Sequence, residues 1–269
     1  MNLKSAIRAA LLPRREVKSA IAERARCCPR PNVRLAECKE LGTKAEREYW
    51  ERLAARFVSM EPDDADGWIV LGYYRLHSED FDGACRAYRV AARLKNNADT
   101  WFSLGLAARG EERIAAYRTA LDHDSSDGTS WHYLADAIAE RGDYETAVQY
   151  YETAIEHSDE TSAAWVLCDL ALCHLTFQHE EDAIAAFERS IRADDGDSHG
   201  KCNYRYVFDV MLGNIADACM NAPPSFAETL HARLLPISPT LAEKLSTFIN
   251  TRRGSHPRFG ASRLSLIHI

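Results

Sequence analysis

The side chains best suited to binding a metal ion come together in one short stretch of the sequence. Cys168, Cys173 and His174 lie within seven consecutive residues. A structural zinc site needs four ligands, and His179 or Cys202 would have to complete this one. Residues five and six apart point in different directions from a helix, so the spacing does not suit one helical face. We therefore predict no metal site and no cofactor.

A second group of reactive residues lies near the start of the chain. Cys27 and Cys28 are adjacent and lie among Arg24, Arg26 and Arg30. Neighbouring cations stabilise a thiolate, so redox sensing is an alternative to our interpretation of an ordinary loop. The signatures GxGxxG, GxxxxGK[ST], HExxH and GxSxG do not occur in the sequence. The sequence predicts no catalytic residue and a protein that is not an enzyme.

Composition and charge limit the classes of partner. The chain has 269 residues, of which 46% are hydrophobic and 27% charged, as in globular proteins. It has no run of 18 apolar residues, so a membrane-spanning helix is not expected. Residues 61–200 carry 29 acidic and 11 basic side chains, whereas residues 1–60 carry 7 and 14. Because nucleic-acid affinity depends on cations that neutralise phosphates, we expect no nucleic-acid partner for the acidic body.

Four segments of the chain share one pattern of large, small and aromatic residues. In three of them a large apolar residue is followed by leucine, a small residue, alanine, an aromatic residue and another small residue. These residues are Trp68, Leu71, Gly72, Ala84, Tyr88 and Ala91 in the first segment, Trp131, Leu134, Ala135, Ala147, Tyr151 and Ala154 in the third, and Leu167, Leu170, Ala171, Ala183, Phe187 and Ser190 in the fourth. Such spacing lines one side of a helix, so each segment is predicted to form two packed helices.

The second segment is shorter than the others. Trp101 and Tyr117 are 16 residues apart, whereas the matching residues Trp68 and Tyr88 are 20 apart. We predict that about one helical turn is missing near Gly110 and that this unit is short.

The shared pattern resembles the tetratricopeptide repeat, a helix–turn–helix unit of 34 residues. The resemblance covers roughly residues 65–197 and implies an all-α fold, a right-handed α-solenoid of about four repeats with flanking capping helices. A single unit cannot bury its apolar face, so neighbouring units must stack. The resemblance also implies a scaffold or adaptor that binds other proteins.

The regions flanking the repeats complete the predicted domain organisation. Residues 1–45 form a basic N-terminal arm or helix, and residues 46–64 a half-repeat helix from a degenerate opening unit. Residues 198–253 form a C-terminal helical cap, with Ser225 as the N-cap of one of its helices. Residues 254–269 are a tail, in which Leu264–Ile269 resembles a translated sequencing adapter, so we expect the natural protein to end elsewhere.

The resemblance also implies a site for a partner. Proteins of this family present a concave groove lined by the first helix of each repeat. The groove residues predicted here are Ile69, Tyr73, Leu76, His77, Phe102, Leu106, His132, Asp136, Trp165 and Leu172. The expected partner is a peptide or amphipathic helix with apolar anchors and some positive charge. One branch of the family binds the C-terminal carboxylate of chaperones through Lys and Asn, which these places lack, so we expect no such clamp.

The functional hypothesis is therefore a non-catalytic adaptor that binds a partner segment in this groove. One alternative is that the chain is the adaptor half of a truncated larger enzyme or regulator. Another is a membrane- or organelle-associated assembly factor that uses Met1–Arg15 as a targeting or interfacial helix. A further alternative is that the basic arm covers the groove of its own chain. Without a secretory signal we expect reduced cysteines and a cytoplasmic location, with a mitochondrial location as the alternative.

Overall fold

A computed structural model gives the fold of the chain. The structure describes residues 12–27, 43–193 and 222–237, with a few isolated positions between 215 and 247. The described residues form α-helices and turns and contain no strand. The chain divides into two compact units, Met1–Ala137 and Ile138–His268, and the division falls inside a helix.

Consecutive helices of the first unit pack against one another. They are α1 (Arg14–Cys27), α2 (Lys44–Met60), α3 (Ala65–Leu76), α4 (Phe81–Leu94), α5 (Ala98–Ala107), α6 (Gly110–His123) and α7 (Gly128–Glu140), whose last turn belongs to the second unit. The most extensive contacts join α3 to α4 and α5 to α6, so each of these pairs is a helical hairpin. The all-α, helix–turn–helix prediction is confirmed.

The second unit repeats this arrangement. Its helices are α8 (Tyr144–Glu156), α9 (Glu160–Thr176), α10 (Glu180–Ala193) and α11 (Pro224–Leu234). The hairpin of α9 and α10 packs against α8 on one side, and α11 contacts α10. Each unit is thus a stack of helices of the solenoid class, held by one apolar layer between neighbours.

Aspartate residues begin many of these helices. The side chains of Asp64, Asp80, Asp143 and Asp159 each accept a hydrogen bond from a backbone N–H in the first turn of α3, α4, α8 and α9. A carboxylate at this position satisfies a free N–H and interacts favourably with the helix dipole. Part of the acidic charge of the body is therefore structural.

The first helix of the opening hairpin comes from the N-terminal arm. The N-terminal arm contains α1, whose Val17 and Ile21 are fully buried against α2 and α3. The start of α1 lies near the start of α3, where Lys18 Nζ is 3.7 Å from Asp64 Oδ2. Its end lies near the end of α3, where Arg24 Nε donates a hydrogen bond of 2.6 Å to Tyr74 Oη. Helix α1 therefore runs parallel to α3 and packs on α2. This is the place of the first helix of the opening unit, for which the sequence pattern showed only the second helix.

The second hairpin is short, as its sequence indicates. Only Ala108 and Arg109 separate α5 from α6, whereas four residues separate α3 from α4. Gly110 takes a φ of +56°, which glycine adopts more readily than other residues. The cap of α6 at Arg109 makes no side-chain hydrogen bond, unlike the aspartate caps. The missing residues therefore come from the end of the first helix and from the turn.

One detail predicted for the C-terminal cap is wrong. Ser225 is not the N-cap of α11, because the helix already begins at Pro224 with Pro223 as its cap. Proline suits the first helical position, where an N–H would have no partner within the helix. The rest of the cap predicted over residues 198–253 lies mostly outside the described residues, as does the tail.

None of the helices that the structure describes combines the length and apolar character needed to cross a bilayer.

Candidate functional site

The predicted groove residues of the first unit lie on α3, α5 and α7, the first helices of its hairpins. We call the side of these helices that carries them, together with Tyr133, the first-helix face of unit 1; its residues are Ile69, Tyr73, Leu76, His77, Phe102, Leu106, His132, Tyr133 and Asp136. A common pattern sets its chemistry: an acidic residue in the first turn is followed three and seven residues later by apolar ones. On α3 these are Asp66, Ile69 and Tyr73, and on α5 Asp99, Phe102 and Leu106. Residues at this spacing share one side of a helix.

Three of the predicted groove residues are core residues instead of exposed anchors. Phe102 is fully buried, and Tyr73 and Leu76 retain only 6% of their exposure each. Tyr73 joins the cluster that contains Val17 and Ile21 of α1. The N-terminal arm thus contributes to the burial of one predicted anchor.

Ile69 and Leu106 remain partly exposed on the same face. Each packs at the edge of a buried cluster, Ile69 beside the one that includes Tyr73 and Leu106 beside the one that includes Leu76. Half-buried apolar side chains of this kind have a fixed conformation and still expose surface to a partner. They are the apolar residues of the predicted groove in this unit that keep exposed surface.

His77 closes the end of α3 in an unusual environment. Its ring lies 4.2 Å from that of Tyr73, edge to face. Both ring nitrogens are buried and make no hydrogen bond to the described part of the chain. Burial, together with the positive charge of Arg47, lowers the pKa of His77 to about 4. The imidazole is therefore neutral at physiological pH and contributes as an aromatic group.

A cluster of rings and charges joins α5, α6 and α7. The rings of Phe102, Tyr117 and Tyr133 lie 5.4–5.9 Å apart, one from each helix. Burial raises the pKa of Tyr117, while Arg113 acts in the opposite direction. The cluster keeps Tyr133 in place at the first-helix face, where it is half-buried.

His132 and Asp136 lie beside this cluster, one helical turn apart on α7. Nε2 of His132 is 3.9 Å from Oδ1 of Asp136, and each side chain is 14% exposed. Asp136 is close enough to Tyr117 to affect its titration. The pair gives the face an acidic and polar end, in addition to Asp66 and Asp99.

In the second unit, Trp165 and Leu172 both lie half-buried on α9. They are seven residues apart and therefore share one side of that helix. The neighbouring Cys168, Cys173 and His174 are buried. Nδ1 of His174 is 2.8 Å from Tyr144 Oη. This ring nitrogen therefore has a hydrogen-bond partner within the chain. Within the described residues, no group of three or more potential metal ligands comes together.

Two stretches of the sequence match models of a known family. Residues 43–99 and residues 126–195 each match a model described as tetratricopeptide repeat. The two stretches flank the short second hairpin. No curated protein matches the chain.

Solved structures show the same fold at low sequence identity. BtubC (BKLC) from P. vanneervenii is 17% identical with a TM-score of 0.53, over 84% of this chain and 96% of that one. A structure of the MamA protein is 14% identical with a TM-score of 0.52, over 61% of this chain and 91% of that one. At these identities the similarity establishes the fold alone.

The helical hairpins and their packing define a helical-repeat protein. With the two family matches, the chain is a tetratricopeptide-repeat protein, a member of a class of protein-interaction adaptors.

Proposed function

We propose that the first-helix face of unit 1 binds a segment of a partner protein and that the chain acts as an adaptor without catalysis of its own. One observation carries the proposal: α3 and α5 each place an acidic residue and a partly exposed apolar residue on the same side. Ile69 and Leu106 supply the apolar contacts, and Asp66, Asp99 and Asp136 supply negative charge.

The chemistry of this face selects a partner. Burial of an apolar side chain against Leu106 or Ile69 contributes roughly 1.5–3 kcal/mol. A lysine or arginine on the partner, placed toward Asp99 or Asp136, adds a preference for positive charge and speeds association. The partner segment is thus an extended peptide or amphipathic helix with apolar anchors and basic residues. Trp165 and Leu172 give the second unit its own surface of similar character.

A photo-crosslinker placed on the face tests this proposal. The phenylalanine derivative that carries benzophenone replaces Leu106 in one variant and Leu94 in a control. Leu94 is a matched control because it is an exposed leucine, 41% exposed, at the end of α4 and outside the face. We expect a protein from the native lysate to crosslink at position 106 and not at position 94. The same product from both positions, or from neither, would overturn the proposal.

A further inference from the structure

The acidic body contains a region of opposite charge. Residues 81–123, which span α4 to α6, carry seven basic and five acidic side chains. The remainder of residues 61–200 carries four basic and 24 acidic side chains. Most of the positive charge of the body is therefore concentrated on one hairpin and the helix before it.

A cleft of about 320 Å³ opens within this region, between α4, α5 and α6. Its walls include Arg89, Arg93, Trp101, Glu112, Ala115 and Thr119. Trp101 lies on a different side of α5 from Phe102 and Leu106, because successive helical residues are rotated by about 100°. The cleft is therefore separate from the first-helix face of unit 1.

Small residues and a fixed indole make part of the cleft apolar. Leu104, Ala115 and Ala116 line it together with Trp101. Trp101 Nε1 donates a hydrogen bond of 2.5 Å to Asn96 Oδ1, so its N–H needs no partner from a ligand. An apolar side chain can pack against this part of the cleft without burying an unsatisfied polar group of the indole.

The two arginines at the rim are in different states. Arg89 donates hydrogen bonds of 2.9 Å from Nε and Nη2 to the two carboxylate oxygens of Glu112. Arg93, one helical turn further along α4, is exposed and makes no ion pair or hydrogen bond with any residue that the structure describes. The rim thus offers one arginine that is held in place and one that is available for a carboxylate.

We propose that this cleft binds an acidic segment of a partner protein, with one aromatic or aliphatic side chain inserted against Trp101 and flanking carboxylates on Arg93. Charge complementarity selects this occupant, because residues 81–123 carry a net positive charge whereas the remainder of residues 61–200 is strongly acidic. The inference goes beyond the proposed function: it adds a second surface, on other faces of the helices, with the opposite charge preference.

Titration of the full-length ¹⁵N-labelled chain with a short synthetic peptide tests the inference. The probe carries one phenylalanine between two blocks of aspartate and glutamate, and two control peptides replace either the phenylalanine by serine or the acidic residues by lysine. We expect amide shifts at Arg93, Ala115 and Thr119 with the probe, weakened by salt, and much smaller shifts with both controls. Equal binding of the serine peptide, or no binding of the probe, would overturn the inference.

Variants separate the cleft from general attraction by charge. We expect Arg93→Glu to weaken probe binding by about tenfold or more, and Ala115→Phe to abolish it by filling the cleft. Arg86→Glu is the matched control, since Arg86 is exposed on the same helix and does not line the cleft. It should change the affinity by about twofold at most. An equal effect of Arg86→Glu and Arg93→Glu would contradict a built site.

Two further measurements distinguish binding in the cleft from binding at the first-helix face and from self-association. Leu106→Arg, which alters the first-helix face, should leave probe binding unchanged, so the two proposals fail independently. Sedimentation of the chain alone tests for a second copy as the occupant. A dimer that Arg93→Glu dissociates would show that the cleft binds another copy of the chain, and would overturn the assignment of a separate partner.

Discussion

Gly105 of α5 lies directly against the ring of Tyr117 of α6. A Cβ atom built on Gly105 would stand 2.3 Å from Cε1 of this ring, closer than two carbon atoms can approach. The same relationship joins Gly72 and Tyr88 in the preceding hairpin, at 2.8 Å. Both tyrosines are buried, so a shift of either ring would disturb the side chains packed around it. In both hairpins, the small residue and the aromatic residue of the repeat pattern therefore pack directly against each other.

Gly105→Ala should destabilise the first unit. The ring of Tyr117 must shift to admit the methyl group, at a cost of about 1–3 kcal/mol, which outweighs the better helix propensity of alanine. Chemical unfolding monitored by circular dichroism measures this loss. In a Tyr117→Leu background the same substitution should cost less, because the ring is absent. An equal cost in both backgrounds would show that the contact is not responsible.

His77 should make stability depend on pH. Its pKa is about 4 in the folded chain and about 6.5 in an unfolded one. As the pH falls from about 6.5 to about 4, the unfolded chain binds a proton that the folded chain does not, so the free energy of unfolding falls; above this window His77 has no such effect. We expect His77→Phe to gain stability relative to the native chain as the pH falls from 7 to 4.5. If the free energies of unfolding of His77→Phe and the native chain differ by the same amount at every pH, the buried environment of His77 would be contradicted.

Ile21→Ala tests whether α1 belongs to the folded core. Ile21 is fully buried against α2 and α3, so its truncation should cost about 2–5 kcal/mol, measured by urea unfolding. Glu23→Ala on the same helix is exposed and should change stability by about 0.5 kcal/mol or less. Hydrogen exchange in α1 should rise in the first variant only. Similar values for both variants would mean that the N-terminal arm does not complete the opening hairpin.

Arg233 should hold α11 on the second unit. Its Nε and Nη2 donate hydrogen bonds of 2.6 and 2.8 Å to the two carboxylate oxygens of Glu188 on α10. Since the pair is partly exposed, we expect Arg233→Gln to cost only about 1 kcal/mol. Hydrogen exchange should nevertheless increase selectively in α11. Arg192→Gln, at an exposed arginine of α10, is the control that should leave this exchange unchanged.

Much of the fold could be predicted because packing repeats along the chain. Trp68, Gly72 and Tyr88 have counterparts at nearly constant spacing, and the 16-residue interval from Trp101 to Tyr117 located the short hairpin. The role of α1 could not be predicted in this way. A long connection separates it from α2, and its signal is confined to Val17 and Ile21, four residues apart.

The candidate site was harder to predict, because a repeat pattern gives the direction of a side chain but not what covers it. Phe102 and Leu106 share one side of α5, yet Phe102 is buried by Tyr117 and Tyr133 while Leu106 keeps exposed surface. The distinction depends on the rings of two other helices. The cleft beside Trp101 depends in the same way on alanines of α6, whose small size matters only once the helices are packed.

The affinity of a partner segment, recovered by crosslinking at position 106, tests the adaptor function most directly. Titration calorimetry would compare the full-length chain with Leu106→Arg and with Leu94→Arg, the same change at an exposed leucine outside the face. We expect Leu106→Arg to weaken binding by about tenfold or more, since it removes an apolar contact and repels a basic partner, while Leu94→Arg stays within about twofold of the native chain. Equal affinities for all three proteins, with their helical content unchanged, would contradict binding at the first-helix face of unit 1.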